Sequence, residues 1–151
     1  MAELKERLRA DLNTAMRARD QVRMRTLRLA LSSITNEEVA GASARDLTDD
    51  EVVRVLTREA RKRREAAEAF SAAGRSDQAA AERAEGEVLA GYLPAQLSDD
   101  ELAALVDAAI AETGASGLSG LGQVMKTVTP RVAGRADGAR VAAEVRRRLS
   151  S

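Results

Sequence analysis

Leu89-Ala-Gly-Tyr-Leu-Pro-Ala-Gln-Leu-Ser-Asp-Asp-Glu-Leu102 is the stretch that divides this chain. Pro94 has no backbone N–H and disfavours a helical conformation at Leu93, so a helix arriving through Val88, Leu89 and Tyr92 stops there. Four residues on, Ser98 and Glu101 have the spacing of a capping box. The Ser98 hydroxyl accepts from the Glu101 N–H, and the Glu101 carboxylate accepts from the Ser98 N–H; Asp99 and Asp100 suit the positive helix end. The stretch reads as an elbow between two helical bodies, with Tyr92, Leu93 and Leu97 as the apolar residues to seat it.

Upstream, Leu4, Leu8, Leu12, Ala15 and Met16 repeat at helical spacing and predict a first helix to about Arg19, with Asp20 capping the next. In that second helix Met24, Leu27, Leu31 and Ile34 share one face while Val22 and Leu29 sit on another, which predicts burial on more than one side before the helix fades near Gly41. Thr48 and Glu51 form a second capping box, opening a long helix through Val52, Val53, Leu56, Ala60, Ala67 and Phe70 that Gly74 stops. Ser76 or Asp77 is the expected cap of a fourth helix reaching Tyr92. Downstream, Leu102, Leu105, Val106, Ala109 and Ile110 make a fifth amphipathic stripe that ends at Gly114. After a glycine-rich connector, a sixth helix is to bury Leu121, Val124, Met125 and Val128, with Pro130 ending or kinking it. Asp137 caps a seventh, with Val141, Val145 and Leu149 inside. No stretch alternates with period two for long enough to be a strand. The expected fold is all-α, with a four-helix domain over residues 1–93 joined at the Tyr-Leu-Pro elbow to a three-helix domain over residues 94–151.

Composition narrows the function classes. Basic and acidic residues balance at 24 each, 17 of each in residues 1–93 and seven of each in residues 94–151, so a nucleic-acid site has to be a local patch on a neutral body. With one Phe, one Tyr and no Trp, the core rests on Ala, Leu, Val and Met. There is no Cys, which excludes disulfides and thiol chemistry and fits a reducing compartment. No apolar run approaches a membrane span, and the start lacks the apolar core of a secretory signal, so a cytoplasmic location is expected.

The absence of His as well as Cys removes Ser-His-Asp and Cys-His nucleophiles, Cys/His zinc sites and imidazole bases; no catalytic residue, metal ligand or cofactor is assigned. The carboxylate pairs Asp49/Asp50 and Asp99/Asp100 lie in first helical turns, where they serve the helix end. Gly117 to Gly122 has the gap of a phosphate-binding loop, but Gln123 and Val124 follow where such a loop needs Lys and Ser or Thr, and no strand precedes it. A glycine-lined helix start still presents N–H groups to a phosphate, an RNA backbone included.

Basic residues cluster in three places. Arg17, Arg19, Arg23, Arg25 and Arg28 crowd the turn between the first two helices with few acidic neighbours. Arg54, Arg58, Arg61, Lys62, Arg63 and Arg64 crowd the third helix, where Glu59 with Arg63, Arg61 with Glu65 and Arg64 with Glu68 are four apart, and they read as a solvated face. In the C-terminal body Lys126, Arg131, Arg135 and Arg140 flank Pro130 and Gly134, whereas Arg146, Arg147 and Arg148 have the simpler explanation of a helix C-terminus.

Three blocks, Ala73-Gly-Arg-Ser-Asp77, Tyr92-Leu-Pro-Ala-Gln-Leu-Ser98, and Gly122-Gln-Val-Met-Lys126 followed by Gly134-Arg-Ala-Asp137, together resemble the GatB/YqeY family, in its stand-alone YqeY-like form. The third block is also similar to the tail of the GatB component of the glutamine-dependent aspartyl/glutamyl-tRNA amidotransferase. Pro130 and the following Arg131-Val-Ala depart from that tail. The resemblance implies two helical bodies, and a tRNA-binding module without the kinase and transamidase domains, even where a family-level label reads carbon-nitrogen ligase activity with glutamine as amido-N-donor. It also leaves open a helical adaptor that docks on an amidotransferase or aminoacyl-tRNA synthetase. The RNA-binding candidates are Gly122, Gln123, Lys126, Arg131, Arg135 and Arg140, with Arg17, Arg19, Arg23, Arg25 and Arg28 as a secondary patch; tRNA is the expected partner, and neither DNA nor membrane is.

Overall fold

The computed structural model describes residues 2–150. Among them it has seven α-helices and no strand: α1 Glu3–Ala18, α2 Gln21–Glu38, α3 Asp49–Ala72, α4 Ser76–Ala90, α5 Asp99–Thr113, α6 Leu121–Val132 and α7 Gly138–Ser150, with a 3-10 turn at Leu118–Gly120 before α6. The chain forms two compact units, Met1–Leu93 and Pro94–Ser151.

In the first unit α3 and α4 pack along each other, α1 lies on α2, and α2 touches both α3 and α4. Leu8, Leu27, Ile34, Val52, Leu56 and Leu89 are fully buried there, joined by Tyr92. Asp20 caps α2 by accepting from the Arg23 N–H at 3.1 Å, and Thr48 and Glu51 form the reciprocal capping box of α3. In the second unit α5, α6 and α7 enclose Val106, Val124, Val128 and Val145, and Ser98 and Glu101 box the start of α5. Leu97 belongs to this second core, and its N–H donates to Arg135 O at 2.8 Å.

Five details correct the sequence reading. Leu29 is 43% exposed and Met16 38%. Thr26 and Ala30 of α2 are buried instead, and Ser33 donates to Glu59 of α3. Neither Ser76 nor Asp77 caps α4. Gly74 turns the chain in a left-handed conformation (φ 76°) and the Arg75 N–H returns to Phe70 O at 2.8 Å, so the exit from α3 leads directly into α4 with Arg75 at its cap position and no side-chain cap. α4 ends at Ala90, because Tyr92 and Leu93 N–H groups bond three residues back, to Leu89 O and Ala90 O. The glycine-rich connector is ordered into the 3-10 turn at its end, where a Cβ on Gly120 would meet Ala115 Cβ at 2.7 Å. Pro130 sits inside the last turn of α6 without stopping it; the helix runs to Val132 and ends with Ala133 in the left-handed region.

Two buried ionic clusters stand inside the first unit. Lys5 Nζ donates to both oxygens of Glu38, at 2.7 and 2.9 Å, and Glu38 also accepts from the Leu47 N–H at 3.3 Å, tying the start of α1 and the end of α2 to the loop before α3. The hydrogen bonds from Lys5 hold the Glu38 carboxyl below its usual range against the opposing effect of burial. Between α2, α3 and α4, Arg63 bridges Glu59 at 2.8 Å and Glu85 at 3.6 Å, while Ser33 Oγ donates to Glu59 and Arg25 Nε to Glu85. Burial pushes the Glu59 carboxyl up, but Ser33, Arg63 and Lys62 together bring it below its usual value. Arg63 is therefore no part of a solvated face: its side chain is 12% exposed.

Candidate nucleic-acid interface

In the second unit the start of α6 presents an exposed patch around Lys126. α6 starts after Gly120 with no side-chain cap and no acidic residue in its first turn, unlike α5, which has Asp99, Asp100 and Glu101 there. Helical spacing puts Gly122, Gln123 and Lys126 together on the face opposite Val124, Val128 and Val132, and all three are exposed. Among the described residues no carboxylate lies within ion-pair reach of Lys126. Such a helix start can meet an anion with backbone N–H groups, an amide and an ammonium at once.

The three arginines grouped with Lys126 in the sequence lie elsewhere. Arg131 is on a different side of α6 and pairs with Glu112 of α5. Arg135 Nε donates to Ala95 O at 2.9 Å and its Nη2 is 3.7 Å from Glu101. Arg140 reaches Asp99 at 2.8 Å. Arg135 and Arg140 thus brace the segment from Ala95 through the first turn of α5. Their partners are far in sequence, so residue spacing gives no sign of them. Asp137, the buried residue two positions past Arg135, caps α7 by accepting from the Arg140 N–H.

In the first unit the secondary patch splits in two. Arg23 is half-buried with its Nη2 3.4 Å from the Tyr92 hydroxyl, and Arg25 is taken by Glu85. Arg17, Arg19 and Arg28 stay exposed. Arg23 lines an open cleft of about 150 Å³ with Asp11, Thr14, Ala15, Ala18 and Asp20. At its edge Tyr92 donates to Asp11 Oδ2 at 2.6 Å and carries the Arg7 guanidinium 4.7 Å above its ring. Burial, with the Asp11 hydrogen bond adding to it, pushes the phenol up to about 12. Among the described residues no three acidic side chains converge as metal ligands would, and no helix is long and apolar enough to cross a membrane.

The sequence model of the family described as Yqey-like protein matches residues 5–149. No curated protein matches the chain.

Proposed function

The chain belongs to the YqeY-like family, and we propose that it is a non-catalytic tRNA-binding module related to the tail of the tRNA amidotransferase. In this reading the first four helices and the last three are separate domains that articulate at Tyr92-Leu93-Pro94, and the second unit meets RNA as the amidotransferase tail does. The observation that carries it is the exposed Gly122, Gln123 and Lys126 face on an acid-free helix start. Arg131, on a different side of α6, extends the contact by leaving Glu112, a step of little cost because an exposed ion pair contributes only about 0 to 1 kcal/mol. A protein adaptor for an amidotransferase or synthetase is the second reading. It is favoured by the carboxylate partners of Arg131, Arg135 and Arg140, which neutralise much of the same unit.

Filter binding of tRNA over a range of salt concentrations tests the first reading. Wild type is expected to bind, and Lys126→Ala with Arg131→Ala to flatten the slope of log affinity against log salt by roughly 0.7 to 0.9 for each phosphate no longer neutralised. Absence of tRNA binding at low salt would leave the adaptor as the better account.

A further inference from the structure

Helix stability accounts for only part of the basic character of the exposed face of the α1–α2 hairpin. Asn13, Met16 and Arg17 on α1 and Arg28, Ser32 and Asn36 on α2 recur at three- and four-residue intervals, and all are exposed. Arg28 Nη2 lies 3.5 Å from Met16 Sδ, which joins the two rows into one surface. No acidic residue occurs between Asp20 and Glu37. Among the described residues no carboxylate is within ion-pair reach of Arg17, Arg28 or Arg19 at the turn. The negative end of α1 favours Arg17 and Arg19. Arg28 has no such support: it lies two turns into α2, beyond the reach of either helix end.

Guanidinium groups interleaved with amides and a hydroxyl are the donor set that contacts phosphate and sugar oxygens. Single-stranded RNA is usually held by stacking on exposed aromatic rings. Here Tyr92 is buried, Phe70 is half-buried and there is no Trp. We propose that this face of the first unit is a second RNA-contacting surface, which grips the phosphates of a base-paired arm through Arg17, Arg19 and Arg28. It rests on the RNA reading above and adds to it a surface outside the tail-like unit.

The test is fluorescence anisotropy of the full chain with a labelled short RNA duplex and with one of its strands, across a salt series. It uses wild type and the variant Arg17→Gln, Arg19→Asn, Arg28→Gln; asparagine at 19 tolerates the left-handed backbone there (φ 57°). The duplex is expected to bind more tightly than the single strand. The variant is expected to melt as wild type does and to flatten the salt slope by about 2 to 3. If wild type and variant bind the duplex with the same slope, this surface is overturned while the RNA reading stands on the second unit. If the single strand binds better, or polyglutamate displaces the duplex as well as an equal charge of unlabelled RNA does, the assignment to base-paired RNA is wrong. If wild type binds neither RNA at low salt, both readings fall.

Discussion

Lys5→Met is expected to destabilise the first unit by roughly 3–5 kcal/mol, the usual loss when one partner of a buried ion pair is removed. The side chains of Lys5 and Glu38 are 6% and 11% exposed, so the stranded carboxylate cannot recover its hydration without opening the α1–α2–loop junction. Lys5→Met with Glu38→Leu should recover most of the loss, since it strands no charge. The acid response should weaken. In wild type the lowered Glu38 carboxyl contributes stability that is present above about 4.5 and is lost as pH falls through its folded value. With Met at position 5, burial raises the Glu38 carboxyl against only the Leu47 N–H and the charge of Arg9, so the variant should lose less stability than wild type as the pH falls. Urea denaturation at several pH values reads both effects; a loss below 1 kcal/mol would mean that the pair is solvated.

Arg63→Met is expected to cost about 3 kcal/mol, the lower end of the same range, because it strands two carboxylates that each keep a second cation. Glu85 retains Arg25 at 2.7 Å, and Glu59 retains Ser33 and, at 3.7 Å, Lys62. Arg63 Nη1 donates to Glu59 Oε2 at 2.8 Å and to Glu59 O at 3.2 Å, whereas its buried Nε makes no hydrogen bond, so toward Glu85 the guanidinium acts through charge. Arg63→Lys should therefore recover part of the stability, and a denaturation midpoint no higher than that of Arg63→Met would count against a charge-based role.

The readable parts of this molecule are those whose causes are local. A capping box needs only four consecutive residues, and both boxes, Thr48/Glu51 and Ser98/Glu101, stand where their spacing puts them. The buried faces of α5 and α7 follow their three- and four-residue repeats for the same reason. Charge pairing is misread because its partners are remote: 33 residues separate Lys5 from Glu38, and 60 separate Arg25 from Glu85. Arg135 reaches a carbonyl 40 residues away. Spacing rules see only neighbours on the same helix, so they find the Glu59–Arg63 pair but not the burial that Glu85 and Ser33 give it. The same limit joins Lys126 to three arginines whose side chains serve the second unit's own framework.

Tyr92 is the only tyrosine and there is no tryptophan, so the near-ultraviolet signal of the chain comes almost wholly from one ring. That ring lies in the first unit's core, under Arg7 and bonded to Asp11, which makes the second unit silent in the near ultraviolet. Its phenol stays neutral in the folded unit up to about 12, against about 10 in an unfolded chain. Its stabilising effect is therefore complete below pH 10 and is lost as pH rises through 12. Between those values the phenolate band near 295 nm should develop only in molecules whose first unit has opened, a label-free optical count of that one event. The second unit's unfolding is then the part of the far-ultraviolet helical loss that does not follow the tyrosine band.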